Sequence, residues 1–150
     1  ITDSELNIVA TGPNLVIHQD EAELSGLDPW VDKTHTESGL FTKVRNSHLT
    51  MQQAEQQSLD FISKYVSKDS SPLCGNSIGT DRAFLQEQMP ELANYVNYRN
   101  LDVSSLKLLY KYWYPAEQEF KKSNNHRALD DIKESIAELK YYRKTLFKAK

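Results

Sequence analysis

The stretch from residue 72 to residue 115, PLCGNSIGTDRAFLQEQMPELANYVNYRNLDVSSLKLLYKYWYP, decides the fold. Leu73-Cys74-Gly75-Asn76-Ser77 reads as a short buried strand that ends in glycine and polar residues. A helix follows from near Asp81, with Phe84, Leu85 and Met89 as its apolar positions. It runs into Pro90, which suits the first turn of a new short helix and not the middle of an old one. Tyr98 to Val103 is a second short strand, after which Leu106, Leu109, Tyr110 and Trp113 recur at helical spacing until Pro115. Strand, helix, strand, helix is the order of an α/β domain.

Outward from this segment, Thr50 followed by Gln53 has the form of a capping box, in which each residue satisfies a backbone donor of the other. Met51, Ala54, Phe61, Ile62, Tyr65 and Val66 then fit one helical face, so a helix is expected from about 50 to 67, broken by Ser70-Ser71-Pro72. Residues 6–19, LNIVATGPNLVIHQ, alternate as a strand does, with a bend at Thr11-Gly12-Pro13-Asn14. From Asp20 to Asn46 the apolar residues are scattered, and only short helical pieces such as Asp28 to Lys33 are expected; a long irregular stretch of this kind is where binding groups are placed. Residues 116–127 are polar, and Leu129, Ile132, Ile136, Leu139 and Leu146 mark a last helix running to the end. Its late cations, Lys140, Arg143, Lys144, Lys148 and Lys150, could form an RNA patch, but a helix C-terminus favours cations in any case.

Of the 150 residues 39% are hydrophobic and 26% charged, within the ordinary range for one soluble globular domain, so residues 1–150 are read as a single domain. No apolar run approaches the roughly 18 residues that cross a bilayer, and the N-terminus has neither a basic leader nor a hydrophobic segment; a cytoplasmic protein without membrane association is expected. The single cysteine, Cys74, has no internal disulfide partner and no neighbours at metal-ligand spacing, and reads as a small buried hydrophobe. A formal net charge of −3 argues against a binder of long nucleic acid. It does not exclude an enzyme acting on a few nucleotides, where local cations suffice to offset the phosphates.

Two polar clusters put acids at strand ends and helix starts, the usual edge for sites in open α/β sheets: Asn76 to Arg82, containing Asp81, and His126 to Asp131. Taken alone, each acid serves as well as a helix cap, since a carboxylate there accepts from free backbone N–H groups and complements the dipole. In the second cluster a histidine stands five residues before Asp131 at a helix start, which offers a base and a hard oxygen ligand together.

Gly75-Asn-Ser-Ile-Gly-Thr-Asp81-Arg-Ala-Phe-Leu85, Tyr98-Arg-Asn-Leu-Asp-Val103 and His126-Arg-Ala-Leu-Asp-Asp-Ile-Lys-Glu-Ser135 together resemble the oligoribonucleases, 3′-to-5′ exonucleases of the DEDDh superfamily. The similarity spans the whole chain. It takes in Trp30-Val-Asp-Lys-Thr-His35-Thr-Glu-Ser-Gly-Leu40, which generic DEDDh exonucleases do not share.

The resemblance implies a ribonuclease-H-like exonuclease fold, a mixed sheet flanked by helices, and hydrolysis of short oligoribonucleotides, especially dinucleotides, to mononucleotides. Four carboxylates hold two Mg²⁺ or Mn²⁺ ions in this family; Asp81 and Asp131 match the third and fourth, and His126 matches the general base. By spacing alone Asp130 is an equal alternative to Asp131. Trp30 and His35 are expected to flank the bases, and Ser77 to help hold the terminal phosphate, with Tyr98 and Arg99 reaching it from the partner subunit of a homodimer. Without the resemblance Trp30 reads equally as a buried aromatic. Thr80 departs from the Gln common in the family's motif, so one substrate contact of the family does not carry over to this position by residue type.

The family's opening Asp-x-Glu strand, followed by Met-Thr-Gly-Leu, has no counterpart here. Asp3-Ser4-Glu5 has the spacing only and is rejected as a ligand pair, because no hydrophobic strand presents it. The N-terminal strands are therefore expected to be missing from this chain. A central strand would bury about five apolar side chains at roughly 1.5–3 kcal/mol each. That rivals a domain's whole net stability of roughly 5–15 kcal/mol. The 150 residues are accordingly read as part of a longer protein, inactive by themselves without those carboxylates. The competing class is a module that binds dinucleotides or a protein partner without turnover, its metal site being incomplete.

Overall fold

The computed structural model describes residues 1–115, 120–121 and 128–147, which form two compact units, one of residues 1–11 with those from 66 onward, the other of residues 12–65.

In the first unit the strands β1 (Pro72–Gly75) and β2 (Asn97–Asp102) lie parallel, with Leu73 beside Asn100, Cys74 beside Leu101 and Gly75 beside Asp102. Parallel strands need a crossover. It is supplied by two helices, α4 (Ile78–Gln88) and α5 (Pro90–Tyr95), numbered after three helices of the other unit. Pro90 opens α5, where its missing N–H is no loss. The helices α6 (Val103–Trp113) and α7 (Ala128–Leu146) then pack on each other around buried Val103, Tyr110 and Tyr142, with Leu106, Leu139, Tyr141 and Leu146 at the margin. Asp102 caps α6 by accepting from Ser104 N at 2.8 Å.

Three details of the strands and of α7 differ from the sequence reading. The alternation over residues 6–19 yields no strand, only an isolated antiparallel bridge between Thr2 and Ile8. Alternation marks a half-buried extended chain, but a strand also needs a neighbour that continues the ladder, and among the described residues only β1 and β2 supply one to each other. Cys74 is exposed: along β1 the side chains alternate, and Leu73 and Gly75 take the inward positions. On α7 the fully buried residues are Glu138 and Tyr142, while Leu129 and Ile132 face solvent. The tight turn at residues 3–7 uses Asp3 as its organiser, the carboxylate accepting from Glu5 N at 2.9 Å and Asn7 N at 2.8 Å. Those bonds, that of the Asn7 side chain first, hold the Asp3 carboxyl below its ordinary pKa.

The second unit contains α1 (Pro29–Glu37), α2 (Leu40–Asn46) and α3 (Met51–Ile62). The capping box is formed as expected: Thr50 Oγ1 accepts from Gln53 N at 3.2 Å, and Gln53 Oε1 accepts from Thr50 N at 3.0 Å. The helix stops at Ile62, short of Tyr65 and Val66. Residues 20–46, read as largely irregular, hold two helices because their boundary signals are strong where their periodicity is weak. Asp28 accepts from Trp30 N at 2.9 Å with Pro29 in the first turn, and Gly39 takes the left-handed conformation (φ 70°) that separates α1 from α2. Near the bend at residue 12, a Cβ on Gly12 would come within 3.2 Å of the Phe61 ring, so the close approach of chain to α3 favours glycine there.

Candidate active site

The segment leaving β1 is held from three sides. Ser77 N donates to Asp102 Oδ1 and to Ser104 Oγ, both at 3.0 Å, and the Ser77 and Ser104 hydroxyls stand 3.3 Å apart. Asn76 Nδ2 donates to Glu138 Oε2 at 3.0 Å and approaches Ser104 Oγ at 3.4 Å. These bonds fix Ser77 in the left-handed region (φ 51°, ψ 35°), an unusual place for a residue with a Cβ, and turn the chain sharply into α4. Ser77 is thus the residue before the helix, and Asp81 lies within the first turn, not at the cap position. Asp81 is exposed, so its carboxylate is open to a ligand.

Asp131 is likewise exposed in the first turn of α7, whereas its neighbour Asp130 is half-buried. His126 lies outside the described residues. Both acids are hard oxygen donors suited to Mg²⁺ or Mn²⁺. Among the described residues, however, no three His, Cys, Asp or Glu side chains come together as a metal cluster. Asp3 and Glu5 add nothing to the pair: Asp3 serves its own turn, and Glu5 is bonded to Arg143 on α7.

On β2, Tyr98 is 73% exposed and the Arg99 guanidinium stacks on its ring, 4.6 Å from the centroid. The strand beneath them is tied to α4 by Arg82, whose Nε donates to Asn100 Oδ1 at 2.6 Å while a terminal nitrogen donates to the carbonyls of Asn97 (2.7 Å) and Arg99 (3.2 Å). The fork of the guanidinium makes all three possible from one side chain. Arg82 is therefore adjacent in sequence to Asp81 and bonded to the strand that carries Tyr98 and Arg99.

In the other unit, Trp30 is 59% exposed in the first turn of α1, so the buried-aromatic reading does not hold. His35, one turn and a half later, is half-buried with its ring edge-on to Phe41 at 5.7 Å.

Sequence reasoning gave no individual role to Arg82, Asn76, Ser104 or Glu138. Ser104 had a signal, since Asp102-Val103-Ser104 has the form of a helix cap ahead of an apolar run. Glu138 also had one, an acid on the inward face of a helix among Ile136, Leu139 and Tyr142.

An exonuclease family pattern, described as "Exonuclease", matches residues 1–139. The chain is 56% identical over 149 residues to a protein named Oligoribonuclease in Vibrio parahaemolyticus, covering 99% of this chain and 82% of that one. The chain belongs to the oligoribonuclease family. Other oligoribonucleases match comparably: that of Photobacterium profundum is 52% identical over 148 residues (98% of this chain, 82% of the relative), and that of Haemophilus ducreyi 52% over 149 (99% and 81%). The small parallel sheet of the first unit, flanked by helices, accords with the ribonuclease-H-like fold expected of oligoribonucleases. Among the described residues no helix is long and apolar enough to cross a membrane.

Proposed function

We propose that this chain is a 3′-to-5′ exoribonuclease that hydrolyses short oligoribonucleotides, dinucleotides above all, to mononucleotides in the cytoplasm. The observation that carries the reading is identity of 56% with an oligoribonuclease across 99% of the chain. The single exonuclease match over residues 1–139 supports one catalytic domain spanning both units.

Asp81 and Asp131 would hold divalent cations, Mg²⁺ or Mn²⁺, two of them in the complete enzyme; bound there, the ions supply positive charge at the attacking and leaving oxygens of the phosphodiester. The exposure of both carboxylates and their hard oxygens support this role, and further ligands are required beyond the pair. His126 takes the proton of the attacking water, a task suited to the imidazole of a histidine. Ser77 and the exposed Tyr98 and Arg99 hold the terminal phosphate, the last two across a homodimer. Arg99 can meet phosphate with two parallel N–H groups. Trp30 and His35 flank the bases by stacking, which tolerates any base and so gives affinity without sequence choice.

The competing reading is a module that binds dinucleotides without turnover. Hydrolysis of an RNA dinucleotide by the natural protein in Mg²⁺ or Mn²⁺ separates the two. Asp81→Asn and Asp131→Asn should abolish hydrolysis while leaving dinucleotide binding partly intact, because cation charge stabilises the transition state more than the ground state. Turnover near that of the parent in either variant would sink the assignment of that carboxylate. Tight dinucleotide binding with no turnover in any divalent cation would establish the competing reading.

A further inference from the structure

Glu138 is the most deeply buried acid among the described residues, with 0% exposure. Its Oε2 accepts from Asn76 Nδ2 at 3.0 Å and its Oε1 from the Tyr142 hydroxyl at 3.2 Å. Tyr142 is itself fully buried, its ring packed 5.4 Å from that of Tyr110. A leucine at 138 would fill the same space without removing a carboxyl group from water, and buried polar pairs are a poor source of stability. What this pair does supply is a connection of defined length.

Its ends lie near or on the two helices that carry the exposed acids. Asn76 immediately precedes the Ser77 turn, five residues before Asp81. Asp131 lies seven residues before Glu138 on the same helix. Seven residues are close to two turns, which puts Asp131 and Glu138 on one side of α7 about 10 Å apart along its axis. The Asn76–Glu138 bond thus joins the start of the Asp81 helix to the Asp131 helix.

We propose that Asn76 and Glu138 are positioning residues that set the separation of Asp81 and Asp131 for a shared divalent cation. The inference rests on reading those two acids as cation ligands. Neither Asn76 nor Glu138 touches the cation; they act through the elements they join.

The test measures Mn²⁺ binding to the natural protein by the electron paramagnetic resonance signal of free Mn²⁺, beside melting temperature. Asn76→Asp sets two carboxyl groups face to face and should raise the half-saturating Mn²⁺ concentration by about tenfold or more, the range seen when groups supporting metal ligands are removed. Adding Glu138→Gln restores a bond of opposite polarity, the glutamine amide donating to the aspartate, and should recover most of that loss. A merely structural role would not give this pattern of Mn²⁺ loss and rescue in folded proteins. If Asn76→Asp does not fold, Asn76→Ala cuts the connection without adding charge and should weaken Mn²⁺ binding in the same direction.

Unchanged Mn²⁺ binding in a folded Asn76 variant overturns the proposal. So does a double variant that regains the parent's melting temperature but not its Mn²⁺ affinity. Asp81→Asn and Asp131→Asn serve as controls. If both bind Mn²⁺ like the parent, the ligand reading itself is wrong and the positioning role falls with it; if both lose Mn²⁺ while Asn76→Asp does not, only the positioning role fails.

Discussion

Replacing Tyr142 by phenylalanine deletes one oxygen from a fully buried site and leaves the ring in place. The contacts of that ring with Tyr110 and Tyr141, at centroid distances of 5.4 and 5.5 Å, survive, so no cavity opens. What is lost is the hydroxyl that donates to Glu138 Oε1 at 3.2 Å. Leaving a buried acceptor without its donor costs about 1–3 kcal/mol. At 3.2 Å this one is long for a hydroxyl donor, which points to the lower half of that range. In a domain of this size each kcal/mol moves the midpoint by about 2–4 °C. Tyr142→Phe should therefore melt roughly 2–8 °C below the parent, followed by circular dichroism through a reversible transition. Tyr112→Phe, on an exposed side chain of α6, provides the comparison and should change stability by no more than about 0.5 kcal/mol. A Tyr142→Phe protein that melts within a degree of the parent would refute the reasoning, because the Glu138 carboxylate would then have no need of that donor.

Two further outcomes concern catalysis. Arg99→Ala should impair cleavage of dinucleotides more than cleavage of seven-nucleotide RNA, where the phosphate it grips is no longer terminal; equal losses on both substrates would count against a terminal-phosphate clamp. His126→Ala should slow turnover by about 10²–10⁴-fold, the usual share of general acid–base catalysis, at an unchanged melting temperature; a rate near that of the parent would remove His126 from the mechanism.

The segment from 72 to 115 was legible because its punctuation is local. Pro90 and the polar run after Gly75 mark boundaries by chain chemistry alone, and the observed elements begin and end close to where those signals lie. Residues 6–19 were not legible in the same way, since alternation reports burial of one face and is silent about which neighbour completes a ladder. The exposure of Cys74 follows from strand phase, which four residues of sequence do not fix. For the candidate site, Asp81 and Asp131 were visible in polar clusters at strand ends and helix starts, but an acid at a helix start has an ordinary structural use, and the family likeness was needed to single them out as ligands. Arg82 and Glu138 had partners too distant in sequence to be inferred: Arg82 bonds to residues 15 to 18 positions away, and Glu138 to one 62 positions away.

Ser77 adopts a backbone conformation that glycine would occupy without strain and that costs a residue with a Cβ about 1–2 kcal/mol. Selection for heat tolerance would for that reason drift toward glycine at this position. Glycine would also remove the hydroxyl that lies beside Ser104 and to which the proposed function gives the terminal phosphate. Heat tolerance and grip on the substrate thus pull in opposite directions at a single side chain, and an engineered variant that gains the first at position 77 is to be suspected of losing the second.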